Sequence, residues 1–477
     1  PVSKFFKYFF KYFIVIFILS GGGDMPRVEE LQSLKEWERV AAHSHITGLG
    51  LDGLKAKPIG GGMVGQIEAR EAAGIVVKLV KEGKFAGRAI LLAGPPGTGK
   101  TALAIGIAKE LGKDVPFVPL AASEIYSAEM KKTEFLTQAL RKAIGVRVRE
   151  MRKVYEGVVR KLDIQEQANP YNPYMRLPAS ARITLATKDE EKMLSVDQEF
   201  AMQIVKQNIE EGDIIQIDVD GGRVVKLGKS EEAVKTQKLD ITSQKPVPVP
   251  EGKVLKDKEF VYVLTLHEMD VINSKSGMDI FSLMFGSREG SEIDSEIRKQ
   301  IDSTIKEWVE SGKAEIIPGV VFIDECSLLD VEAFAFLNRA IESELSPIII
   351  FATNRGITKI RGTDINSPHG MPIDLLDRLL IINTKKYSKE EIGKIIEIKA
   401  EVEKIKISKD ALEYLKMLGE ESSLRYAVQL IAPSLELAKA DGNELIEKKH
   451  VEKAKQIFAD VKRSVKYLQE YEESMMK

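Results

Sequence analysis

Cysteine is almost missing from this 477-residue chain: the single Cys326 excludes an internal disulfide and points to a reducing, intracellular compartment rather than to a secreted scaffold. With only 5 histidines beside it, no Cys/His cluster of metal-ligand spacing arises, and no zinc-type site is expected. A dominant charge is missing too. The 70 Lys and Arg face 72 Asp and Glu, a net charge of -2, so no global basic field marks the chain for nucleic acid, and any such contact must be local. Nor is there a membrane-spanning apolar run: the best stretch, Tyr12 to Leu19, falls far short of the roughly 20 residues a helix needs to cross a bilayer. What is present in quantity is apolar residues, 44%, and charged ones, 30%. The first provide cores for two or three domains and exclude disorder as the main theme. The second suits the surface ion-pair networks of a heat-adapted protein.

The opening two dozen residues differ from all that follow. Phe5 to Leu19 is aromatic and aliphatic, interrupted by Lys7 and Lys11, and Gly21 to Asp24 separate it from Met25. A short targeting segment is one reading. The other, which we favour, starts the natural protein at Met25: the chain opens on Pro1, and codons for Gly-Gly-Gly-Asp can spell a ribosome-binding sequence. Residues 1–24 are therefore expected to be a non-native or targeting extension, and the gene to be prokaryotic, of archaeal type.

The strongest chemical signal is Gly94-Pro95-Pro96-Gly97-Thr98-Gly99-Lys100-Thr101. Before it, Ala89 to Ala93 reads as a buried parallel strand; after it, Ala102 to Leu111 reads as a helix stopped by Gly112. Glycines let the backbone curl until its N–H groups face phosphate oxygens, and the helix N-terminus adds its positive end. Lys100 then reaches the terminal phosphates and the Thr101 hydroxyl can ligate magnesium, so a nucleotide with Mg2+ is expected here. A second apolar strand, Val320 to Ile323, runs into Asp324-Glu325; Asp324 is placed to hold the magnesium and Glu325 to polarise the attacking water. A third, Pro347 to Ala352, ends in Thr353-Asn354, and the amide of Asn354 can orient water without adding charge. Two arginines follow. Arg378, in Ile373-Asp374-Leu375-Leu376-Asp377-Arg378, is either a finger for a neighbouring subunit's ATP or the partner of Asp374 four residues earlier; we favour the finger. Arg425, in Ser422-Ser423-Leu424-Arg425, opens a helix and is expected to sense nucleotide bound by its own chain.

Between Lys100 and Asp324 lie roughly 220 residues, where two αβ units of roughly 30 each would suffice. A domain has been inserted, with limits near 147 and 315, and it is expected to leave and rejoin the core through helices. Val154 to Leu162, Arg182 to Ala186, Asp213 to Val219, Arg223 to Leu227 and Phe260 to Leu266 read as short strands, with Asp220-Gly221-Gly222 as a hairpin turn. A small barrel of the OB type follows, a scaffold that often carries single-stranded nucleic acid on aromatic platforms. Tyr155, Tyr171, Tyr174, Phe200 and Tyr262 are the aromatic candidates, with core packing or protein docking as the alternative. From Ser388 the chain reads as amphipathic helices, 389–402, 409–418, 424–441 and one from Lys448, with a charged tail from Ser464. The expected fold is thus an α/β P-loop NTPase core of AAA+ type, a parallel sheet with helices on both faces, with an OB-like insertion and a C-terminal helical lid. Its parts are core residues 25–146, insertion 147–315, core 316–386 and lid 387–477.

Several blocks in order carry a specific resemblance: His43-Ser44-His45-Ile46-Thr47-Gly48-Leu49-Gly50-Leu51, the P-loop, Gly319 to Asp330, Ala352-Thr353-Asn354-Arg355-Gly356, Ser367-Pro368-His369-Gly370 and Leu424-Arg425-Tyr426. Together they resemble the RuvB-like AAA+ ATPases of the pontin and reptin family, over nearly the whole chain. The resemblance implies a hexameric ring, ATP hydrolysis, a role as an ATP-dependent DNA helicase, contact with single- or double-stranded DNA or RNA through the insertion, and service in chromatin-remodelling, transcription or complex-assembly machines with protein clients. An assembly scaffold or chaperone-like ATPase without helicase activity is the alternative. It also implies that His43 and His45 lie near the adenine. Where the family usually has valine and histidine after the acidic pair, this chain has Cys326 and Ser327, which bears on how hydrolysis is coupled to a distant partner. Gly94-Pro95-Pro96 and Lys131-Lys132-Thr133 are similar to pontin, whereas Ile272-Asn273-Ser274, Thr353-Asn354-Arg355 and the region of Tyr467-Leu468 are similar to reptin. A single archaeal subunit forming a homohexamer in the cytoplasm accounts for the mixture; a nuclear reptin paired with a paralogue in a hetero-hexamer is the runner-up.

Overall fold

A computed structural model describes residues 43, 45–126, 130–169, 172–219, 222–230, 247–276, 293–460 and 464. Residues 1–24, Ser44, the Asp220-Gly221 turn, Tyr171, Tyr467-Leu468 and the side chain of Tyr174 lie outside the described residues. The described chain divides into two compact units, one of residues 148–262 and one comprising the segments before and after it.

The second unit is built on a five-stranded sheet in the spatial order Leu379–Asn383, Ala89–Ala93, Ile348–Thr353, Val320–Asp324, Phe117–Ala121. Every neighbouring pair is parallel. Runs such as Ala-Ile-Leu-Leu-Ala and Ile-Ile-Ile-Phe-Ala are apolar on both sides because parallel strands are covered on both faces. Successive side chains point to opposite faces. Leu91, Val321, Ile323 and Phe351 join the core beneath the helices Lys132–Lys142 and Val331–Ile341, while Ile90, Leu92, Phe322 and Ile350 join the core beneath Ile67–Lys81 and Lys100–Leu111. The result is the α/β core of AAA+ type.

The 148–262 unit is an antiparallel sheet, ordered Arg223–Lys229, Asp213–Asp218, Ile144–Asn169, Asn172–Ala186, Glu191–Val196, with Leu255–Thr265 also paired to the long strand. The helix Gln198–Lys206, capped by the Asp197 carboxylate accepting from the Phe200 N–H at 3.2 Å, packs on the Asn172–Ala186 strand. Tyr155 and Phe200 are packed against the core of this unit. Both remain half-buried, and the Lys192 ammonium lies 5.2 Å from the Tyr155 ring centroid.

The chain does not leave the core through a helix at 147. The helix ends at Lys142, and the strand Ile144–Asn169 begins two residues later and carries the chain out. Its Val146, Val154 and Val158 are buried, and their even spacing satisfies a strand rather than a helix. The return does run through helices, Leu266–Ser276 and Ser295–Glu310, followed by the strand Ala314–Pro318.

The C-terminal lid comprises Lys389–Val402, Lys409–Glu421, Leu424–Gln429, Ile431–Ala440 and Lys448–Ile457 around one apolar core. The first helix opens with a reciprocal capping box between Ser388 and Glu391. One long helix over 424–441 does not form, because it breaks at Leu430. In a continuous helix the ring of Pro433 would meet the Gln429 carbonyl; after the break Pro433 sits in a first turn, where its missing N–H costs nothing. Among the described residues no helix is long and apolar enough to cross a membrane.

Candidate active site

Three adjacent strands end side by side: Ala93 opposite Thr353, and Ile323 opposite Phe351. At such carboxyl edges open α/β sheets bind their ligands. From Ala93 the chain turns into Gly94, and the loop closes at Gly99, the N-cap of Lys100–Leu111, with φ 82°. A Cβ on Gly99 would stand 2.5 Å from the Tyr387 hydroxyl, and one on Gly94 only 2.2 Å from Thr384 Oγ1. The loop is therefore laid directly against the segment that follows the Leu379–Asn383 strand. Thr98 is buried; its hydroxyl meets the Thr384 hydroxyl at 2.6 Å and donates to the Pro95 carbonyl at 2.8 Å. Tyr387 donates to the Thr98 carbonyl at 3.3 Å, and burial pushes its phenol up to about 12.

Lys100 is the first residue of its helix, and its ammonium donates to the carbonyls of Gly94 at 3.0 Å and Pro95 at 2.8 Å. Burial lowers its pKa, the Asp324 carboxylate pulls the other way, and the Arg425 guanidinium adds to the lowering. Lysine, aspartate and arginine thus sense one another around the loop. Thr101 is the second residue of the same helix. Asp324 is the last residue of its strand and is half-buried; Glu325 is exposed, with φ 54° and ψ 40°, and its N–H donates to Asp324 Oδ1 at 2.9 Å. A left-handed non-glycine backbone is uncommon and persists only where its surroundings hold it. Asn354 is exposed just past the Ile348–Thr353 strand, on the tip between the P-loop and the acidic pair.

Arg425 opens the Leu424–Gln429 helix, whose N-cap Ser423 accepts from the Tyr426 N–H at 3.2 Å. Its backbone nitrogen is 4.0 Å from the position a Gly97 Cβ would take. His43 and His45 stand close by, ring centroids 6.2 Å apart. Burial, then His45, Lys399 and Arg425, lowers the pKa of His43 to about 4; burial and Lys399 also lower that of His45. Both are half-buried rather than exposed loop histidines.

Arg378 is elsewhere. Its carbonyl accepts from the Ala89 N–H at 3.3 Å, at the amino end of the strand whose carboxyl end makes the P-loop. Five extended residues separate the two ends by roughly 16 Å. The guanidinium is ion-paired with Glu342 and not with Asp374.

Residues that sequence reasoning passed over complete the cradle. Thr384 and Tyr387 are signalled only by following a strand parallel to the P-loop strand. Arg70, fully buried, donates to the carbonyls of Leu49 at 2.7 Å, Lys57 at 2.7 Å, Gly65 at 3.1 Å and Gly50 at 3.0 Å, which fixes the segment behind the histidines. Gln66 exchanges bonds with the Lys385 backbone at 2.5 and 3.0 Å.

Residues 39–390 match the family model of the TIP49 P-loop domain, and residues 395–460 match the TIP49 AAA-lid domain. RuvB-like protein 1 of Arabidopsis thaliana is 45% identical over 453 residues, which span 94% of this chain and 98% of that protein.

Proposed function

The chain belongs to the RuvB-like, TIP49-type family of AAA+ ATPases, and from that premise we propose that it turns over ATP in a hexameric ring and uses the turnover to move on DNA. One observation carries the reading: the P-loop that ends in Lys100, Asp324 and Asn354 follow three adjoining strand ends, while Arg378 sits at the opposite end of the same sheet.

In this reading the backbone N–H groups of Gly97 to Thr101 cradle the phosphates and Lys100 neutralises the terminal ones. Magnesium keeps several of its waters and asks for only one or two protein oxygens. The Thr101 hydroxyl and the Asp324 carboxylate fit that requirement, and among the described residues no larger cluster of metal ligands competes. The ion would supply charge neutralisation on the phosphate oxygens. Glu325, beyond the buried strand, takes the proton of the water that attacks the terminal phosphorus, and ADP leaves with the electrons of the broken bond. Asn354 orients that water. Arg425 reaches the nucleotide from the lid of its own chain, and His43 and His45, neutral at pH 7, border the base. Arg378 cannot reach ATP bound to its own P-loop across the length of the sheet, so we assign it to a neighbour's ATP; a ring provides that neighbour.

For DNA we assign the inserted segment, residues 147–315. In its 148–262 unit Phe260 and Tyr262 stack at 6.3 Å with an interplanar angle of 10°, and the Arg152 guanidinium lies 5.6 and 5.3 Å from their ring centroids. Such a pair offers π-faces to unpaired bases. A specific observation favours the second reading, an assembly ATPase that answers to protein clients. Arg152 is already bonded to Glu150 at 2.6 Å and to Asp218 at 3.0 Å, which neutralises the cation a phosphate backbone would seek. Steady-state ATP hydrolysis by the full chain, with and without single-stranded DNA over a salt series, separates them. The motor reading expects stimulation that falls steeply with salt; turnover indifferent to DNA at low salt would transfer the function to protein clients.

A further inference from the structure

The backbone around Glu325 is held by side chains from two other parts of the core. The turn itself is a short 3-10 helix, Cys326–Leu328, with the Leu328 N–H donating to the Glu325 carbonyl at 2.9 Å. On its inner side Cys326 is fully buried, with Sγ 3.8 Å from Met371 Sδ. On its outer side the Arg361 guanidinium donates to the Leu328 carbonyl at 2.8 Å. Two residues on, the Asp330 N–H donates to the Tyr126 hydroxyl at 2.7 Å, and the Asp330 carboxylate takes the Lys132 ammonium at 2.5 Å and the Ala333 N–H at 3.0 Å. Asp330 and Arg361 also form an isolated β-bridge. Arg361 then stacks over the Tyr126 ring at 4.0 Å, with Lys132 5.4 Å from the same ring. Tyr126 ends the 3-10 helix Ala122–Tyr126, Lys132 is the first residue of the helix Lys132–Lys142, and Arg361 belongs to the segment joining the short strands Ile357–Lys359 and Asn366–Pro368.

We propose that Tyr126, Lys132 and Arg361 form a bracket that positions the Glu325 carboxylate for water activation, so that they set the rate of hydrolysis without setting the affinity for ATP. Glu325 keeps a left-handed backbone with no glycine to allow it, and such a conformation survives only when its neighbours over-determine it. Cys326 fixes the inside of the turn; the bracket fixes the outside. None of the three bracket residues is a catalytic residue, because none is bonded to the P-loop or to Glu325 itself. Their influence runs through Leu328 and Asp330. The inference rests on the assignment of Glu325 as the base.

The test compares kcat, KM for ATP and thermal midpoint for full-length wild type, Tyr126→Phe, Lys132→Met and Lys132→Arg, each also made in the Glu325→Gln background. Tyr126→Phe removes one hydroxyl and leaves the ring under Arg361. Loss of one hydrogen bond to the turn should lower kcat about three- to tenfold, with KM held within about twofold. Lys132→Met should behave alike, and Lys132→Arg should recover the rate. In the Glu325→Gln background neither change should lower the residual rate further, since all act through one group. An unaltered kcat in Tyr126→Phe and Lys132→Met, or a further fall of equal size in the Glu325→Gln background, would overturn the bracket while leaving Glu325 as the base. Wild-type turnover in Glu325→Gln alone would instead remove the assignment beneath it.

Discussion

Glu325→Gln should stop turnover while leaving ATP bound, with kcat lower by about 100- to 1,000-fold and the dissociation constant for ATP within a small factor of wild type. The change keeps shape and volume while removing the carboxylate's charge and its ability to accept a proton. Binding should survive because the cradle is made elsewhere: Lys100 is seated against the Gly94 and Pro95 carbonyls, and Thr98 is locked to Thr384 and Pro95. Glu325 is exposed at its strand tip and contributes to none of those contacts. Single-turnover hydrolysis beside equilibrium titration of ATP separates the two quantities. A variant that hydrolyses within about threefold of wild type would mean that another group takes the proton.

The second large effect concerns stability. Asp270 is fully buried and takes Arg141 through two bonds, Nε to Oδ2 at 2.5 Å and Nη2 to Oδ1 at 2.6 Å. Arg141 also donates to Asp302 at 2.8 Å, while Arg298 is paired to Glu134 at 2.5 and 2.9 Å and lies 3.8 Å from Asp270. Burial works against the Arg141 charge, yet the bonds to Asp270 and Asp302 outweigh it and hold its pKa above the ordinary value. His267 stays neutral beside them: burial, then Lys142, Arg298 and Arg141, lowers its pKa to about 4. These charges tie the helix Lys132–Lys142 to both helices that bring the chain back from the insertion. Asp270→Leu leaves two arginines facing a site without its carboxylate, and should cost about 3–5 kcal/mol, a fall in the thermal midpoint of roughly 10 °C. Removing the partner as well, in Arg141→Met with Asp270→Leu, should recover much of that loss, because an apolar pair avoids the desolvation cost. Calorimetry of the single and double variants decides it; a double variant no more stable than the single one would mean that the pair earns its place through geometry other than charge.

Much of the core is legible in the sequence because each piece is contiguous. A glycine-rich loop between an all-apolar strand and a helix, an acidic pair after Val320 to Ile323, and an asparagine after Ile348–Thr353 each need only local pattern to be placed on a strand tip. Thr384 and Tyr387 escape because they reach the P-loop from the far end of the chain, and a threonine or tyrosine after a strand is ordinary in itself. The bracket escapes for the same reason: Tyr126, Lys132 and Arg361 are scattered, and only folding brings them onto the turn at Asp330. The departure of the chain along a strand rather than a helix was hidden by the basic residues interleaved from Arg147 to Lys153, which read equally well as one face of an amphipathic helix. The break at Leu430 was visible in principle, since Pro433 forbids a continuous helix over Leu424 to Asp441.

The most direct test of the central claim, that the loop Gly94 to Thr101 with the acidic pair makes an ATP-hydrolysing site, is ATP binding and steady-state phosphate release by the full chain and its Lys100→Ala variant, with magnesium present. We expect the wild type to bind and hydrolyse ATP, and Lys100→Ala to lose both, since it removes the ammonium held against the Gly94 and Pro95 carbonyls inside the loop. Wild-type protein that neither binds nor hydrolyses ATP, or a Lys100→Ala variant that does so at the wild-type rate, would contradict it.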